Sequence, residues 1–238
     1  MPNLTRTARI TGLLYLGLAL TGMLDFLIIR GELFVPDDAS TTLANLVSDP
    51  TLARLGIAAE LGVVLTQSLA AVWFYKLLRA ANPIAAGATT AFGLVNAAAI
   101  LGSTAFLASA LAVAGDPSLA PGGDTAATVQ LMYTISGYFW GAGAIFFGLW
   151  LIPMGYAVKQ SGLMPAALGW VLMVGGIGYI ASGFSAALLP DLTALNNALT
   201  IPASIGEFWM IGYLILVGVR ASAVSPSASA APMAKVVS

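Results

Sequence analysis

Three acids stand inside long apolar runs of this sequence: Asp25, Glu60 and Glu207. A charged group in hydrocarbon is costly, so an intramembrane carboxylate is a functional-site candidate by default. Carboxylates with tyrosine and amide oxygens suit hard cations such as Ca²⁺ or Mg²⁺. They also suit proton relay or capture of an organic cation. Gln67 follows Glu60 by seven residues and shares its helical face. Tyr133 and Tyr138 enter a later run from the same side, and these three residues complete the candidate ligand set. The set names no particular metal and implies no cofactor. Two acids could do general acid–base work, but no nucleophile stands with them, so the reading leans away from an enzyme.

The acids also have a plainer reading. Arg30 and Arg54 border the same runs. Asp25 with Arg30, or Glu60 with Arg54, would then be structural ion pairs that fix helix positions, and for Asp25 this reading is the favoured one. Glu60 and Glu207 stay open between a cavity wall and an internal hydrogen-bond network. Arg54 precedes Glu60 by six residues, which is not one helical face, so it pairs more easily with another helix.

The elements that position these groups follow from composition. Of 238 residues, 59% are hydrophobic and 8% charged, against about 25% charged in soluble domains. The apolar runs are long and continuous, unlike the ~10-residue alternation of a barrel strand. The prediction is an all-α polytopic bundle of six transmembrane helices, at about 10–29, 53–78, 84–114, 126–158, 165–188 and 199–219. These form one domain over 1–220, and the Ser/Ala/Pro-rich 221–238 reads as a disordered cytoplasmic tail.

Within that frame, Asp49-Pro50 starts the second span, with a cap followed by proline at the first helical position. Leu43, Leu46 and Val47 fall on one face and suggest a short helix lying on the membrane surface. Gly137 and Gly141 form a GxxxG pair that would let two helices approach closely and would also allow a homo-oligomer. Pro153 is expected to kink the fourth span. The basic leader with Arg6 and Arg9 precedes an exit, LIIRGELF, that lacks the small residues of a cleavage site, so the first span reads as uncleaved.

Orientation follows from basic residues. With both termini inside, inner segments hold Arg6, Arg9, Lys76, Arg79, Lys159, Arg220 and Lys235, and outer segments hold only Arg30 and Arg54. Seven against two sets both termini in the cytoplasm. Counting ~1.5 Å per residue from the outer ends puts Asp25 roughly 6 Å deep, Glu60 about 8–10 Å and Glu207 about 12 Å. All three then lie in the outer half of a ~30 Å core and would line one outward-facing cavity formed by spans one, two, four and six. The chain has no cysteine and no histidine, so it supplies no disulfide, thiol nucleophile or histidine ligand. A net charge of −1 gives no pull toward nucleic acid.

GLLYL in the first span, Val35-Pro36-Asp37-Asp38-Ala39, Ala53-Arg54-Leu55-Gly56 leading to Glu60, and Gly206-Glu207 resemble a family of bacterial multi-pass membrane proteins. It is catalogued as domain-of-unknown-function family 4386, and the resemblance covers roughly Ala8 to Arg220. It implies a six-span fold in a bacterial plasma membrane and carries no activity, substrate or catalytic residue to transfer. The leading functional expectation is binding or translocation of a cation, proton or small molecule at the acids. The alternatives are a structural or regulatory membrane protein with acid–arginine pairs, and a membrane-embedded lipid-modifying enzyme.

Overall fold

The computed structural model describes residues 2–220; the tail expected at 221–238 lies outside the described residues. The helices are α1 (Pro2–Met23), a π-helical turn (Leu24–Ile29), α2 (Arg30–Leu33), α3 (Ala39–Ser48), α4 (Pro50–Leu78), α5 (Pro83–Gly115), α6 (Thr125–Ser161), α7 (Ala166–Leu188) and α8 (Thr193–Leu216). Among the described residues no strand occurs, and six helices are long and apolar enough to cross a membrane. The spans exceed the apolar runs. The first extends over Asn3–Leu33, so the leader with Arg6 and Arg9 is helical, and the last starts at Thr193 rather than near residue 199. Backbone hydrogen bonding carries a helix past the point where its side chains turn polar.

Helix starts are set by short polar side chains. Asp38 accepts from Thr41 N, Asp49 from Leu52 N, Asn82 from Ala85 N and Asp124 from Ala127 N. Each satisfies one of the orphan donors of a first turn. The spans alternate in direction, so two ends of the bundle can be distinguished. At one end the first and last described turns meet: a Cβ on Gly218 would touch Thr5, and Arg220 N donates to Leu163 O at 2.9 Å. There too the Asn82 side chain donates to Gln160 at 2.8 Å. The other end carries α3 and the Asp116–Asp124 connection. Because α4 and α6 begin at the α3 end and are capped by aspartates, acids gather there.

The spans form a closed ring, each packed on its sequence neighbours, with α8 returning to α1. Inside it Phe74 meets Tyr15 and Trp150 edge-on and Tyr15 is tilted against Trp150, with ring centroids 5.4 to 6.0 Å apart. Trp150 lies where any Cβ on Gly93 would be, so a glycine on α5 seats the largest core side chain.

The close seam between α6 and α7 uses other glycines than the GxxxG pair. Gly148 and Gly155 on α6 face Gly176 and Gly169 on α7 in antiparallel order. A Cβ on Gly176 would come within 2.7 Å of the Gly148 carbonyl oxygen, and one on Gly169 within 2.5 Å of that of Gly155. Small residues repeating every seven positions let backbones touch along a straight seam. Gly141, by contrast, faces open space, and Gly137 comes near only the Arg30 guanidinium. Helix α6 runs unbroken through Pro153. Helix α3 crosses the bundle end and buries Leu46 among Ile29, Leu33, Leu107 and Val113. Its expected apolar face is therefore divided: Leu46 is held in protein while Val47 stays exposed. Packing against α5 and α6 takes the contact that a lipid surface was expected to supply.

Candidate functional site

Glu60 is fully buried on α4. Its Oε1 accepts from Ser103 Oγ on α5 at 2.9 Å and from Trp140 Nε1 on α6 at 2.8 Å. Arg30 Nη2 lies 3.4 Å from the same oxygen and donates to Ser136 Oγ at 2.6 Å. Ser136 and Ser103 are 2.7 Å apart. Arg30 Nε stands 4.0 Å from Asp25 Oδ2. One guanidinium thus gathers two carboxyl groups and four elements, and the Phe26 and Tyr133 rings flank it at 5.5 and 6.0 Å.

The π-helical turn makes this geometry. Five residues along an α-helix turn roughly 140° away from the starting face. Here Arg30 N donates to Asp25 O, an i to i+5 bond that brings Arg30 over Asp25. Gly56 leaves room for that turn, because a Cβ there would touch Ile29 at 3.0 Å and Asp25 at 3.4 Å.

A second rung lies below. Gln67, seven residues after Glu60, accepts from Asn96 Nδ2 at 3.0 Å, and Asn96 is seven residues before Ser103. Glu60–Ser103 and Gln67–Asn96 are successive rungs of one polar ladder between antiparallel α4 and α5. The signal was present as two seven-residue polar spacings on adjacent spans. Ser136 and Trp140, which reach this cluster from α6, lie outside the ligand set expected from the sequence.

Glu207 is elsewhere. Its Oε1 accepts from Tyr15 OH at 2.6 Å and its Oε2 from Tyr179 OH at 3.1 Å. Tyr15 precedes Asp25 by ten residues on the same helix, about 15 Å along its axis at ~1.5 Å per residue. The expectation that all three acids lie in the outer half and line one cavity is corrected accordingly. Helix α8 begins six residues before its apolar run, so Glu207 lies about 21 Å from the helix start. The carboxylate lines a cavity of about 200 Å³ with Tyr15, Trp140, Phe147, Tyr179 and Phe208. A wider groove of about 610 Å³ shares Gly22, Trp140, Phe147 and Tyr179 with it and reaches Asn196, Asn197 and Thr200 near the α8 start. Gly137 and Gly141 line this groove, so the GxxxG pair hollows the bundle instead of closing it.

Two candidates fall outside both clusters. Tyr138 is 72% exposed on the outer surface. It is five residues from buried Tyr133, roughly 140° around the helix, so the two cannot share a face. Arg54 is exposed and makes no salt bridge among the described residues. Tyr133 stacks on Phe34 at 5.6 Å and belongs with Arg30. No group of three or more acidic ligands gathers to hold a metal ion among the described residues.

Fold and site define a multi-pass membrane protein with six helices long and apolar enough to span a membrane, a buried arginine–carboxyl node and a separate cavity lined by Glu207. The chain belongs to the family described as Domain of unknown function (DUF4386), whose model matches residues 10–218. No curated protein and no solved structure matches it.

Proposed function

We propose that this protein binds a small molecule within the bilayer, in the cavity that Glu207 faces, and that the Asp25–Arg30–Glu60 node braces the helices. The observation that carries this reading is the contrast between the acids. Asp25 and Glu60 are matched to Arg30, whereas Glu207 lies on a cavity wall whose lining, among the described residues, holds no basic residue. Each Glu207 oxygen receives one tyrosine hydroxyl. A carboxylate offers about four acceptor positions, so capacity remains for a ligand. Concave, mostly apolar sites between helices with a few convergent polar groups are where bundles bind ligands.

Lys76, Arg79, Lys159 and Arg220 fall at the end where Gly218 meets Thr5, and the basic-residue rule makes that end cytoplasmic. In a bacterial plasma membrane the groove would then open toward the outside, beside Asn196 and Asn197. The test is thermal unfolding of the purified protein in detergent against a panel of small amines, alcohols and arenes. A binder at 100 times its dissociation constant stabilises by about 2.7 kcal/mol. Gly22 lines both hollows, so Gly22→Phe should fill them and abolish the response. A panel with no binder, or one whose binders ignore Gly22→Phe, rejects this site.

A further inference from the structure

We infer that the ligand of the Glu207 cavity is an organic cation, a substituted ammonium seated against the carboxylate and an aromatic wall. This rests on the cavity being a binding site and adds the ligand's chemical class. Trp140, Phe147 and Tyr179 form a continuous aromatic strip, with centroids 6.4 Å apart between the first two and 5.7 Å between the last two. All three line the cavity with Tyr15, Phe208 and Glu207. Each of the three strip residues is only half-buried, so ring surface is open to an occupant.

Ring faces carry negative charge and attract cations, most strongly where water is excluded, and cages of this make-up recognise alkylated ammonium groups. The carboxylate supplies the formal counter-charge, and among the described residues the lining contains no lysine or arginine to compete for it. An inorganic cation fits less well. Hard metal ions take six to eight oxygens, and most of this wall is carbon.

The sequence hid this arrangement because its parts come from four helices: Tyr15 from α1, Trp140 and Phe147 from α6, Tyr179 from α7 and Glu207 from α8.

The experiment compares benzyltrimethylammonium with neopentylbenzene, its uncharged carbon isostere, by equilibrium binding to the detergent-purified full chain. The expected result is at least tenfold tighter binding of the cation. Glu207→Gln should lose that preference while retaining the isostere's affinity, which shows that the variant is folded. Phe147→Leu, which keeps the carboxylate, should weaken the cation several-fold more than the isostere. Equal affinity of cation and isostere overturns the cation assignment and leaves the binding site standing. Binding of neither compound overturns the cation assignment, and the binding site itself falls only if the wider panel is silent too. Dodecyltrimethylammonium separates the sources: tighter binding than the benzyl cation points to a membrane-borne headgroup, weaker binding to a free solute, and either outcome above tenfold over the isostere supports a cation.

Discussion

Arg30→Met is the sharpest test of the node. Methionine keeps much of the stem's apolar volume and removes the guanidinium. Glu60 is fully buried and the Asp25 side chain 2% exposed, so both carboxyl groups would lose the one cation that pairs with them among the described residues. Removing one partner of a buried pair costs about 3–5 kcal/mol. The contacts at 3.4 and 4.0 Å are longer than the 2.7–2.9 Å of a strong charge-assisted bond, which argues for the lower end. Ser136 loses its 2.6 Å donor but keeps Ser103 at 2.7 Å, so its share is small. The expected loss is about 3 kcal/mol, read by equilibrium unfolding in mixed micelles followed by circular dichroism. Arg54→Met, at an exposed arginine with no acid partner among the described residues, should stay within about 0.5 kcal/mol. Adding Glu60→Gln to Arg30→Met should recover at least ~1 kcal/mol, because the orphaned charge goes too. A loss below ~1 kcal/mol for Arg30→Met, the value of an exposed pair, would refute the node as a brace.

Glycine substitutions separate the seam from the groove. Gly148→Leu or Gly176→Leu should lower stability by about 3 kcal/mol or more through backbone clash. Gly141→Ala should be neutral or gain up to about 1 kcal/mol in helix propensity, both read as unfolding midpoints. At the start of α3, hydrogen bonds from Thr41 and Ser40 hold the exposed Asp38 carboxyl down at about 2. Its folded value lies below the unfolded 3.8, so its support of α3 is complete above that value and is lost as pH falls through about 2. Amide protection in 41–43 should fall between pH 4 and pH 2, and Asp38→Ala should remove that dependence.

Much of this molecule is legible in one dimension because the membrane makes it so. Hydrocarbon forces each span to satisfy its own backbone, so length and hydropathy alone give six helices. The Asp49-Pro50 start is equally local, since the cap bond closes within three residues. Limits appear where a face must be assigned across more than one turn. The Asp25–Arg30 pair follows from their shared place at one boundary, but a 3.6-residue period turns them apart, and the π-helical turn that joins them is not written in the spacing. Tyr133 and Tyr138 share a depth, yet rotation separates them.

By itself, then, the sequence determined a six-helix membrane bundle, its capped starts and the rarity of charge inside it. Tertiary structure alone decided which acid is matched and which is not. Ring closure of α8 on α1 carries Glu207 to Tyr15, while antiparallel packing of α4 on α5 delivers Glu60 to Ser103. Apolar length measures where a helix lies in a bilayer, but the partner of a buried charge depends on rotation and neighbours, which no single run of residues encodes.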